Sequence, residues 1–183
     1  MSRAGATPVV IRAAADAGLP AIAELYAHHV FTGTASFEVA APTVDEMRRR
    51  HRDVLSHGLP YFVASLQGAD ADLAGYAYAT AYRSRVAYRH TVEDSVYVDP
   101  GCVRRGAGRA LLAAVIAACE TLGYRQMVAV IGGSDNAASI SLHEALGFRH
   151  AGLLAAVGRK FDHWIDTVLM QRALGPGAST PAP

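Results

Sequence analysis

The sequence predicts an α+β, or mixed α/β, fold in which a sheet of about seven strands carries helices on both faces. Three observations lead there. Apolar, β-rich runs recur from the first residues to the last. Helix-length amphipathic runs with capping residues separate some of them. The resulting order is strand, two helices, three strands, helix, strand, helix, two strands, which points to a sheet with helices on both faces. A chain of 183 residues buries about 70% of its unfolded surface, so one domain over 8–174 is expected, with flexible tails at 1–7 and 175–183.

The elements follow in order. "PVVIRAA" reads as the first strand, and "DAGLPAIAELYAHHV" as a helix with Asp16 as its N-cap. "TVDEMRRRHRDVLSHG" is a second helix: Thr43 caps it, Glu46 stands at the capping-box position, and Gly58 ends it. "YFVASL" and "LAGYAYATAY" are strands joined by the turn "QGADAD", and "TVEDSVYV" is a third. In the next helix Ala107, Leu111, Ala114, Val115, Ala118 and Leu122 share one face, and Gly123 stops it. "RQMVAVIG" is a strand and "NAASISLHEALG" a short helix. The remainder makes two closing strands around a turn near Phe161-Asp162. The tail "GPGASTPAP" has nothing to bury.

Composition narrows the function. Seventeen Lys and Arg against sixteen Asp and Glu leave a net charge of +1, so no global field attracts nucleic acid or a membrane surface. No 18-residue apolar run suggests a membrane span. Cys102 and Cys119 read as thiols of a reducing cytoplasm, since no CxxC or Cys/His metal spacing accompanies them. His28, His29, His51 and His57 lack any HExxH pattern, and no metal is expected.

Any anion site is therefore local, and "VYVDPGCVRRGAGRALLAAV" offers one. Gly106 and Gly108 permit close backbone approach, Ala107 opens a helix whose first N–H groups lack partners, and Arg104, Arg105 and Arg109 add forked donors. A phosphate or pyrophosphate fits there. Walker and GxGxxG loops are both absent.

This basic glycine turn, its long helix and "VIGGSDNAASISLHEALGF" together resemble the acetyl-CoA core of the GNAT N-acetyltransferases. "YRHTVEDSVYVDP", "VAVIG" and "SLHEALGF" are similar to the phosphinothricin and methionine sulfoximine branch. The resemblance covers roughly 8–172 and implies a mostly antiparallel, twisted GNAT sheet. It also implies acetyl-CoA as acyl-donor cosubstrate, with Val96, Tyr97 and Val98 beside the pantetheine arm and Arg104 to Arg109 around the pyrophosphate. Asn136 and Ser139 would hold the far end of the cofactor. The family's loop usually begins with Gln or Arg, where this chain has Val103.

Acetyl transfer to an α-amine of pKa about 8 or above needs a base. The resemblance assigns that role to Glu93. Strand alternation puts Glu93 and Ser95 on one face and Asp94 on the other. His143, where many relatives carry Tyr, is a candidate acid, base or substrate contact, and a backbone N–H near Tyr97 or Val98 a candidate oxyanion donor. By family position Phe37, in the loop between the first two helices, and Arg83, flanked by Tyr82 and Ser84, meet the acceptor. Asp94 and Ser95 would line the same place. Lys160 and Trp164 in "GRKFDHWIDT" resemble the family's C-terminal hairpin, a plausible homodimer surface.

The expected function is acetylation of a small amino-acid-like amine, with neither nucleic acid nor membrane as partner. Two alternatives stay open: an acetyltransferase for a peptide N-terminus or polyamine, and a non-catalytic acyl-CoA-binding module.

Overall fold

The computed structural model describes residues 8–66 and 73–182. In chain order these form β1 (Val9–Ala13), α1 (Leu19–Thr32), α2 (Val44–Ser56), β2 (Tyr61–Leu66), β3 (Leu73–Ala81), β4 (Thr91–Val98) and α3 (Ala107–Thr121). There follow β5 (Gln126–Gly132), α4 (Ala137–Glu144), β6 (Arg149–Lys160) and β7 (His163–Ala173). The expected element order stands. The turn Gln67 to Asp72 lies outside the described residues.

Helix starts follow local chemistry, with one correction. Thr43 Oγ1 accepts from the Glu46 N–H at 3.2 Å and caps α2. The Glu46 carboxylate does not reach back; it takes Arg49 and Arg50, both below 3 Å. Asp16 does not cap α1. It opens a short 3₁₀ turn, Asp16–Gly18, and α1 begins beyond it at Leu19 with no side-chain cap. Pro20 in the first turn has no N–H to satisfy, which lessens the need for one. Gly58 and Gly123 follow α2 and α3 in the left-handed conformation, as stop residues do.

The strands form one sheet in the order β1-β2-β3-β4-β5-β7-β6. Every neighbouring pair is antiparallel except β4 with β5. That parallel pair is also short: Thr91 to Asp94 lie beside Gln126 to Ala129, and the pairing then ends. β4 runs on to Val98 against β3, and β5 runs on to Gly132 against β7. The two strands therefore part in the middle of the sheet, and backbone groups beyond Asp94 and Ala129 have no partner across the gap.

Helices cover both faces. Tyr26 of α1 meets the Tyr97 ring edge-on at 5.1 Å, and His51 of α2 meets Tyr61 at 4.9 Å. Tyr97 pairs with Tyr76 across β4 and β3, so these side chains share the α1–α2 face. Leu111 of α3 lies on the other face, beside Gly75, and His143 of α4 reaches Asp94 there. Tyr76, Leu111, Leu112, Val115 and Met127 are fully buried between the layers. Arg125, just before β5, donates to Gly177 O, Thr180 Oγ1 and Pro181 O beyond β7, tying the proline-rich tail to the sheet end.

Candidate active site

The parting of β4 from β5 opens a cleft of about 870 Å³, toward the upper end of the roughly 300–1,000 Å³ common for small-molecule sites. Val96, Tyr97 and Val98 form one wall, and Ala129 to Gly132 the other. Gly106, Ala107, Gly108 and Arg109 close one end, with Arg104 beside them; Asn136, the N-cap of α4, and Ser139 and His143 within α4 line it as well. The expected cofactor-binding residues thus converge, with one exception. Arg105 is exposed and absent from the lining, while Val103 takes a place there.

The α3 end is built to receive an anion. Gly106 holds φ +87° at the N-cap without a side-chain cap, and Ala110 makes the first helical bond back to Gly106 O. The amides of Ala107, Gly108 and Arg109 have no acceptor within the helix and sit at the positive end of its dipole. Arg104 is itself left-handed at φ +62°, a conformation that costs an ordinary residue about 1–2 kcal/mol. At α4, Asn136 accepts from the Ser139 N–H at 3.2 Å and donates to Gly132 O at 3.4 Å, bracing the start of α4 against the end of the β5 wall.

Strand alternation separates the two carboxylates as expected. Asp94 faces α4, where its Oδ2 lies 3.0 Å from His143 Nε2. Glu93 shares the opposite face with Ser95 and Tyr97 and, unlike those two, lies outside the cleft lining. Glu93 is partly buried; burial foremost, then the charge of Asp94, raises its pKa, and Arg83 opposes the rise. Arg83 is exposed, with its guanidinium 4.9 Å from the Tyr82 ring centroid. Tyr82, Arg83 and exposed Ser84 lie outside the cleft lining, while Asp94 and Ser95 line it.

Phe37 also lies outside the lining, yet it borders the cleft. Its ring presses on the backbone of Gly132 and Gly158, so closely that a Cβ on either would meet ring carbons at 2.8 Å or less. The same loop is tied from below. Buried Lys160 donates to Gly33 O at 2.8 Å and Ser36 O at 2.7 Å, and Tyr26 bonds Ser36 and Glu38. The α1–α2 loop is therefore a held wall.

Sequence reasoning missed His29 as part of the site. It lines the cleft, packs against Tyr97 at 5.5 Å and donates from Nε2 to Val98 O at 3.0 Å. Its spacing of three from buried Tyr26 on α1 was the available signal. Among the described residues, no group of three His, Cys, Asp or Glu side chains could hold a metal, and no helix is long and apolar enough to cross a membrane.

Comparison with known proteins agrees with this architecture. Residues 22–148 match the family model described as the acetyltransferase (GNAT) family. Phosphinothricin N-acetyltransferase of Alcaligenes faecalis is 55% identical, over 98% of this chain and 88% of its own length. The L-methionine sulfoximine/L-methionine sulfone acetyltransferase of Pseudomonas aeruginosa is 37% identical, over 93% and 98%. A phosphinothricin acetyltransferase from Sinorhizobium meliloti, solved in complex with AcCoA, superposes with a TM-score of 0.90 at 44% identity, over 96% of this chain and 93% of that one. A split parallel pair with an open helix start at its mouth, on a chain this similar along nearly its whole length, makes the protein a member of the GNAT acetyltransferase family.

Proposed function

We propose that the chain is an acetyl-CoA-dependent N-acetyltransferase for the α-amine of small amino-acid-like acceptors of the phosphinothricin and methionine sulfoximine type. One observation carries the reading: the cleft between the parted strands ends at the uncapped start of α3. Its residues fit acetyl-CoA. The amides of Ala107 to Arg109, with Arg104 and Arg109, suit a pyrophosphate. The unpartnered edge of Val96 to Val98 suits the amides of a pantetheine arm. Asn136 and Ser139 stand at the start of α4, where they would hold the rest.

Acetyl-CoA supplies an activated acetyl group as a thioester. The chain's part is to deprotonate the amine and hold it in line. Glu93, with its raised pKa on the α1–α2 face, is the proposed base, acting directly or through water. Arg83, close enough for its charge to act on Glu93, suits an acceptor carboxylate. Phe37 forms the wall of the α1–α2 loop. We further assign the protein to the cytoplasm as a homodimer through the β6–β7 hairpin, whose Leu153, Leu154, Val157, Phe161 and Trp164 are all exposed.

The test is CoA release from acetyl-CoA, read with a thiol reagent, across methionine sulfoximine, methionine sulfone, phosphinothricin, common amino acids, polyamines and peptides. Rapid release is expected with the first three. Activity confined to polyamines or peptides would overturn the acceptor class, and binding of acetyl-CoA without release from any amine would overturn catalysis.

A further inference from the structure

His143 is buried, with both ring nitrogens occupied inside the protein. Nδ1 lies 2.7 Å from Ser139 O, a carbonyl that only accepts, so Nδ1 carries a proton. The Ser139 hydroxyl is 3.5 Å away, too distant to compete. Nε2 faces Asp94 Oδ2 at 3.0 Å, and the two side chains are 4% and 1% exposed. A carboxylate cannot donate, so a second proton belongs between them. The pair therefore holds two protons and no net charge, so neither partner is buried as an uncompensated ion.

We propose that Asp94 is a positioning residue that, with the Ser139 carbonyl, holds His143 protonated on both nitrogens beneath the cleft, a fixed cation that staples α4 to β4. Only the kinetic consequence rests on the acetyltransferase reading. The other carboxylate oxygen, Asp94 Oδ1, is buried without a hydrogen-bond partner, so His143 is the carboxylate's one side-chain partner among the described residues. Burial pushes the imidazole pKa down, but the hydrogen bond and charge of Asp94 and the Ser139 carbonyl leave it raised. Glu93 flanks Asp94 but faces the other side of the sheet. From α3 comes Cys119, whose thiol burial pushes up to about 12, so it is neutral. On α4 itself Glu144 turns outward to His150 at 3.3 Å, and β5 has no titratable side chain. Phe148 closes the pair with a ring contact at 4.9 Å.

Both ring nitrogens being engaged, His143 cannot meet a ligand through a free nitrogen in this arrangement. Its contribution is position and the orientation of a charge pair, imidazolium against carboxylate, beneath the strand segment beside which the thioester is proposed to lie; the pair is neutral overall, so its dipole and not a net positive charge acts on the departing thiolate.

Asp94→Asn separates these roles. The amide can donate to Nε2, so both hydrogen bonds survive with a neutral, Nδ1-protonated ring. The experiment is ¹⁵N NMR of histidine-labelled protein, with His143 identified among the eight histidines by its loss in His143→Gln. The parent should show both His143 nitrogens protonated at pH 7, and Asp94→Asn should show Nε2 unprotonated at pH 7. The kcat of that variant should fall roughly tenfold, with KM for acetyl-CoA within about threefold. A neutral ring in the parent at pH 7 would overturn the proposal, and that spectrum is readable even if Asp94→Asn does not fold. A doubly protonated ring in Asp94→Asn, or an unchanged kcat at every pH, would also overturn it. Absence of turnover in the parent would instead contradict the acetyltransferase reading, which the spectrum does not depend on.

Discussion

At the scale of residues, the chemistry divides between two adjacent carboxylates on opposite faces of β4. Glu93 is held above its ordinary pKa by burial, which moves a proposed base toward working pH. The same shift has a sign for stability. A carboxyl raised on folding contributes stability that is complete below its unfolded pKa, about 4.5, and is lost as pH rises through the higher folded value. Glu93→Gln should therefore melt higher than the parent at pH 7 to 8, and the two should converge at pH 4. Thermal unfolding at both pH values checks this; a lower melting temperature at pH 8 would contradict it. Alternation along "TVEDSVYV" made the separation of Glu93 from Asp94 legible in the sequence. The tie from Asp94 to His143, 49 residues on, was not, because only the packing of α4 on the sheet brings them together. His29 was hidden for a related reason: its partner, Val98 O, is a backbone atom 69 residues away.

At the scale of elements, the α1–α2 loop depends on a strand at the far end of the sheet order. Phe37 occupies a notch left by Gly132 and Gly158, and Lys160 grips the loop's carbonyls. Gly158 does not have a positive φ, so Gly158→Ala strains no backbone and acts through Phe37 alone. It should raise the acceptor KM roughly tenfold, the order one apolar contact supports, and leave the KM for acetyl-CoA unchanged. Phe37→Ala should do the same, and the double variant should be no worse than either single one. Steady-state kinetics with both substrates varied decides this; additive effects would mean that the notch and the ring act separately. The strands themselves were readable because apolar runs and glycine stops bound them closely. The start of α1 was not: Asp16 had the right chemistry for a cap, but a 3₁₀ turn and Pro20 made the cap unnecessary.

At the scale of the whole molecule, the sheet performs two tasks with its two irregular regions. The parted β4 and β5 make the cleft in mid-sheet. The edge strand β6, whose pairing with β7 slips between His150 and Gly152 and again between Leu154 and Gly158, carries Leu153, Leu154 and Val157 of the proposed dimer face, which Phe161 in the turn and Trp164 of β7 complete. Sedimentation should find twice the 19.3 kDa chain mass, and Trp164→Asp should shift it toward the monomer; a monomeric parent at micromolar concentration would contradict the assignment. Element order and sheet class were legible in the sequence because amphipathic period and caps are local. The place where the strands part was legible only through the resemblance, since nothing in "VYVDP" or "VAVIG" alone says that pairing ends there.

The most direct test of the account compares CoA release by the parent and by Glu93→Gln, with methionine sulfoximine as acceptor and acetyl-CoA varied. The account predicts that Glu93→Gln loses roughly 10²-fold or more in kcat while its KM for acetyl-CoA stays within about twofold. Equal turnover by the two proteins would remove Glu93 from the reaction and contradict the assignment of the two faces of β4.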